Sequence, residues 1–160
     1  MRRNKPKTLS IGSVSMGTTR TENLLPAFLD ACLLLRLDKS ELETVRHISA
    51  ETEGIGEVED GTEIESYIED LLDILNNHCP DFCYFGANEG DGADFGCWIS
   101  SEVPFHGDPT DEIAKGGDLP PTKSVKQDYF LLVNDHGNCT LYRKQRAGRG
   151  YKWRECWSLV

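Results

Sequence analysis

Three places in the chain hold residue types at spacings that could do chemistry. His78 and Cys79, together with Cys83 and Cys97, offer one imidazole and three thiols, a sound ligand set for tetrahedral zinc, although the C-x3-C spacing has no matching second knuckle. The stretch from Phe85 to Trp98, FGANEGDGADFGCW, carries four glycines and three acids, the composition of a cation loop or a phosphate loop. Asp135 and His136 are neighbours in VNDHGN, the residue types from which a proton relay is built.

None of the three closes into a signature. An EF-hand needs acids at alternate positions and a closing Glu, whereas Asp91 and Asp94 here run into Phe95-Gly96. A phosphate loop needs Lys and Ser or Thr, and Glu89, Asp91 and Asp94 would repel phosphate. The stretch reads instead as a long hairpin loop, its glycines reaching positive φ and its acids at an exposed tip. Neighbouring side chains on a strand point to opposite faces, so Asp135 and His136 read as a tight turn with His136 exposed. No G-x-S-x-G or H-E-x-x-H motif occurs. The sequence predicts no enzyme, no metal and no cofactor; a small zinc- or cation-dependent enzyme centred on His78, Cys79, Cys83 or His136 is the alternative.

What the chain does carry is segregated charge. Residues 1–20 hold five basic groups and no acid, residues 21–120 hold four basic groups against 24 acids, and residues 121–160 hold eight against three, for a net charge of -10. An acidic body of this kind repels nucleic acid and attracts basic protein surfaces, including those that normally hold nucleic acid. The candidate partner-binding residues are Glu57, Glu59, Asp60, Glu63, Glu65, Glu69 and Asp73, with Glu89, Asp91 and Asp94 in the glycine-rich loop. The basic C-terminal stretch RKQRAGRGYKWRECW mixes cations with aromatics, as single-stranded nucleic-acid binders do, and makes Arg146, Arg149, Lys152 and Arg154 an alternative nucleic-acid site. Plain strand alternation puts Tyr151, Trp153, Glu155 and Trp157 on one face, the core face, and Lys152, Arg154, Cys156 and Ser158 on the other.

The elements that must position these residues fall into two grammars. Leu24, Leu25, Phe28, Leu29, Cys32 and Leu35 recur at helical spacing, with Asn23 as N-cap and Pro26 in the first turn, and predict a helix ending near Asp38. Ser40-Glu41-Leu42-Glu43 reads as a capping box for a second, short helix. Thr62 to Glu65 opens a third, whose apolar face is Ile64, Tyr67, Ile68, Leu71, Leu72 and Leu75 and whose acids take the other face. After Pro80 the pattern changes to short aromatic and alternating runs at 82–85, 95–100, 128–134, 139–143 and 151–159, which predict strands. The expected fold is α+β, an antiparallel sheet of four or five strands in the C-terminal half packed on two or three N-terminal helices. A flexible basic arm over 1–20 would precede a single domain over 21–160. With no secretory leader and no apolar run of membrane-spanning length, the expectation is a cytoplasmic protein whose six cysteines are free thiols.

Four stretches also carry a resemblance. LLPAFLD (24–30), ESYIEDLLDILNNHCP (65–80), YFGANEGDGADFGCW (84–98) and LLVNDHGNCTLY (131–142) look like segments of small accessory proteins carried by bacteriophages, prophages and plasmids. The resemblance spans residues 24–142 and assigns no catalytic residue. It implies a non-enzymatic role in the cytoplasm of a bacterial host, with a host defence protein such as a CRISPR effector or another nuclease as partner, inhibited in the manner of anti-CRISPR proteins.

Overall fold

The computed structural model describes residues 7–52, 61–103, 119–133 and 138–159. Among these it holds three helices, N-terminal, and two three-stranded antiparallel sheets, mostly C-terminal, so the α+β class stands. The single sheet of four or five strands does not. The first two strands after Pro80 pair with a strand near the N-terminus instead of with the later ones, and two separate sheets result. The chain divides into two compact units, residues 1–100 and 101–160.

The first unit contains β1 (Gly12–Ser15), α1 (Thr21–Leu34), α2 (Lys39–Thr52), α3 (Gly61–Asn77), β2 (Cys83–Asn88) and β3 (Asp91–Ile99). On α1 the residues Leu24, Leu25, Phe28, Ala31 and Cys32 are buried, the stripe that 3.6-residue periodicity aligns. The helix starts two residues before Asn23, and Thr18 organises that end: its Oγ1 accepts from the Arg20 N–H at 3.2 Å and from Asn23 Nδ2 at 3.1 Å. Pro26 therefore lies past the first turn, where it deletes one i→i−4 bond on an exposed face. The capping box of α2 is also displaced from the expected frame. Asp38 Oδ1 accepts from the Glu41 N–H at 2.9 Å while Glu41 Oε2 accepts from the Asp38 N–H at 2.9 Å, so the reciprocal pair is Asp38 and Glu41, not Ser40 and Glu43.

Val45 and Ile48 of α2 and Ile68, Leu71, Ile74 and Leu75 of α3 complete the helical side of the core. The sheet side is held through Phe28, fully buried, whose ring meets Phe85 edge-on at 5.2 Å and Phe95 at 5.8 Å. At the far end of α3 the Asn76 side chain accepts from the Phe85 N–H at 3.0 Å, which fixes β2 against the helix terminus.

In this sheet the strand order is β1-β3-β2. The arm expected over residues 1–20 is corrected in its described part: Gly12–Ser15 pairs with β3, and Leu9, Ile11 and Val14 pack on the core. The pairing depends on Gly96, opposite Ser13, because a Cβ there would collide with the Gly12 carbonyl oxygen and meet Ser13 Cα at 2.8 Å. The hairpin loop expected over Gly86 to Asp94 is not long. Strand β2 runs on to Asn88, which pairs with Asp91 across the two residues Glu89 and Gly90, and Gly92, Ala93 and Asp94 form an irregular bulge in β3. Short-range bonds from the Gly90 N–H to Asn88 Oδ1 (2.8 Å) and from the Ala93 N–H to Asp91 Oδ1 (3.0 Å) tighten it.

The second unit contains β4 (Tyr129–Val133), β5 (Cys139–Ala147) and β6 (Gly150–Leu159) in sequential order. Among its described residues Pro120, Phe130, Leu131, Leu141 and Trp157 are buried. The β5–β6 turn is Gly148-Arg149, with Gly148 at φ 57. On one face the segment before β4 lies over Trp153, whose indole N–H donates to the Pro120 carbonyl at 2.7 Å. The turn expected at Asp135-His136 lies outside the described residues.

Candidate functional site

The densest chemistry on the described surface is the outward side of α3. Glu63, Glu65, Glu69, Asp70 and Asp73 are all exposed on a helix with no basic residue, and none of the five forms an ion pair with a described residue. Glu65, Glu69 and Asp73 follow one another at four-residue steps, a row of carboxylates repeating about every 6 Å along the axis. Like charges at that spacing cost an isolated helix about 0.2–0.5 kcal/mol per pair. The helix forms because its opposite stripe is buried.

The other predicted acids are distributed differently. Glu57, Glu59 and Asp60 lie outside the described residues. Glu89 and Asp91 do occupy a hairpin tip and are exposed. Asp94 does not: it lies in the β3 bulge, its Oδ2 accepts from Ser13 Oγ at 3.0 Å, and its Oδ1 is buried without a hydrogen-bond partner. The bulge leaves Asp94 half-buried, with one carboxylate oxygen tying β1 to β3.

The four basic candidates of the second unit are not brought to one face. A bulge between Leu141 and Tyr142 inserts Cys156 and shifts the alternation of β6, so Trp157 joins Lys152 and Arg154 on the face that also carries Leu141 and Arg143. Arg146 pairs with Tyr151 on the opposite face, and Arg149 sits in the turn. Tyr151, expected in the core, is 63% exposed.

The zinc alternative meets a specific obstacle. His78 points both ring nitrogens at acceptors, Nδ1 at the Lys7 carbonyl (2.7 Å) and Nε2 at Glu41 Oε2 (3.0 Å), an arrangement satisfied when both nitrogens carry protons. Partial burial disfavours the charged ring, but the Lys7 carbonyl and the Glu41 carboxylate outweigh it and hold its pKa above the usual histidine value. The imidazole is a latch joining the chain at residue 7 to the start of α2. The three thiols do meet, Cys97 in contact with Cys79 and with Cys83. Its contact with Cys79, with burial adding, pushes Cys97 up to about 12, and contact with Cys97 together with burial raises Cys83. Burial and the nearby Glu41 carry Cys32 to about 12 as well. Thiols held protonated are poor nucleophiles. Among the described residues no group of three or more His, Cys, Asp or Glu is arranged to hold a metal ion. No helix among them is long and apolar enough to cross a membrane.

Comparison of the chain with protein-family models, with curated proteins and with solved structures found no match. Its surface chemistry must therefore stand alone. The sequence pattern points directly to the acidic row of α3; it misses the Glu41–His78 pair, because those residues are 37 positions apart and each has an ordinary local reading.

Proposed function

We propose that this chain is a non-enzymatic binding protein that captures a basic protein surface of the kind that holds nucleic acid, using the acidic face of α3. The observation that carries this reading is the run Glu65, Glu69 and Asp73, flanked by Glu63 and Asp70, with no cation on the helix. Such a row presents regularly spaced negative charge on a rigid support, as a nucleic-acid backbone does, and a basic groove would meet it quickly and in a salt-sensitive way. The resemblance to phage and plasmid accessory proteins supplies the partner class: a host defence nuclease, a CRISPR effector among them, blocked by occupation of its nucleic-acid groove.

The test is affinity capture by the tagged chain from nuclease-treated bacterial lysate expressing a panel of defence systems, with elution by rising salt. The expected result is one stoichiometric basic nuclease, lost when Glu65, Glu69 and Asp73 are all changed to Lys. Equal recovery by that variant would overturn the charge-based reading.

A second reading rests on the face of β5 and β6 that carries Arg143, Lys152 and Arg154. A nucleic-acid strand could lie along it. A gel shift with Arg143, Lys152 and Arg154 changed to Ala separates the readings, since only nucleic-acid binding by this unit is weakened.

A further inference from the structure

Among the described residues β1 is an edge strand: β3 pairs with one side of it and no described strand with the other. Residues 10–14 make no backbone hydrogen bond to a described residue beyond the ladder with β3. Their outward N–H and C=O groups are the complement of another extended backbone. Beside this edge runs a groove of about 520 Å³. Residues 8–14 form one wall, and Ala27, Asp30, Ala31, Leu34 and Leu35 of α1 and its end form the other.

The far wall has a specific shape. Ala27 and Ala31, one turn apart, are short enough to leave a depression, and Leu34, 69% exposed, extends it as an apolar shelf. Asp30 is the only charged residue in the described lining; it is exposed and forms no ion pair with a described residue. We propose that this groove receives an extended peptide segment of a partner protein, which adds to β1 as a fourth strand, sets apolar side chains against Ala27, Ala31 and Leu34, and places a Lys or Arg at Asp30.

Geometry and charge together select this occupant. The strand of this wall, Gly12–Ser15, runs for roughly 13 Å, enough to pair with a short added strand. A small ligand or a helix would leave the edge groups of β1 unpaired, whereas an added strand pairs them and alternates its side chains into the groove. A second copy of the chain is disfavoured by charge, because each copy carries a net charge of -10 and brings a carboxylate to the groove. The irregular register between Ser13 and Ser15 confines pairing to a short stretch, which gives a defined register and discourages open-ended association. The inference is independent of the α3 reading.

The test uses a phage-displayed library of random twelve-residue peptides selected against the full chain, with recovered peptides measured by fluorescence anisotropy. The expected peptides alternate apolar residues and carry Lys or Arg. They lose at least tenfold in affinity for Asp30→Lys and for Leu34→Glu, and binding disappears when alternate peptide amides are N-methylated. Glu65→Lys on α3 leaves their affinity unchanged. Both groove substitutions fall at exposed positions, and unchanged thermal unfolding verifies that each variant folds. No enrichment over a control selection, peptides that bind both groove variants like the parent, or indifference to N-methylation would each overturn the proposal. So would sedimentation showing a dimer that Leu34→Glu dissociates, which would give the groove to a second copy.

Discussion

At the scale of single residues, Gly96 and His78 each hold the N-terminal segment in place, one by lacking a side chain and one by carrying a charge. A methyl group at Gly96 has no room beside the Gly12 carbonyl, so Gly96→Ala should detach β1 and lower stability by about 1–3 kcal/mol, the range for overpacking. Urea unfolding followed by Trp fluorescence measures the loss, and amide exchange at 12–15 shows whether it is local; protected amides with unchanged stability would contradict the geometry. His78 gives a pH dependence whose sign is fixed. Its folded pKa lies above the unfolded value of ~6.5, so its contribution is complete below that value and disappears as pH rises through the folded pKa. The stability difference between the parent and His78→Gln should therefore be largest near pH 6 and shrink towards pH 8.5, in thermal unfolding at both. A difference that grows with pH would show that the ring is neutral in the fold.

At the scale of elements, α3 sets charge against stability. Glu69→Lys replaces two repulsive four-residue pairs, with Glu65 and with Asp73, by two attractive ones, and should stabilise the chain by about 1 kcal/mol in low salt while weakening partner capture. A variant both more stable and equally competent would remove α3 from the binding surface. Helix α2 gives a complementary test: Asp38→Ala removes the acceptor for the Glu41 N–H and should cost about 0.5–2 kcal/mol by urea unfolding, whereas Ser40→Ala should cost less. The elements also show where sequence reading succeeds and where it stops. The α3 stripe was legible because its burial repeats every three and four residues within one segment. The frame of the α2 cap was not, since D-x-x-E at 38–41 and S-x-x-E at 40–43 overlap and the structure uses the one whose Glu also bonds His78. Strand β1 was invisible for a related reason: GSVS has little strand character, and the residue that admits it is a glycine more than 80 positions away. The alternation of β6 was read correctly up to the bulge and inverted beyond it.

At the scale of the whole molecule, charge is distributed by segment more sharply than the net value suggests, with 24 of the 27 acids between residues 21 and 120. Partner association through this body should slow steeply between about 50 and 300 mM salt while dissociation changes less. Stopped-flow or biosensor rates with the captured partner decide it, and a salt-independent association rate would assign capture to apolar contacts instead.

The pairing of Gly12 with Cys97 has a last consequence, which concerns time. During synthesis the GSVS segment emerges first, yet its partner strand is made 85 residues later, a wait of roughly 4–17 s at ordinary elongation rates. For most of that interval α1 has Leu24, Leu25 and Phe28 ready but lacks Phe85 and Phe95 to receive them. The first unit therefore cannot close from its N-terminus onward. Its beginning is also its final joint, and a nascent chain stalled before residue 97 would present the ribosome's surroundings with an unpaired strand segment and an uncovered apolar helix.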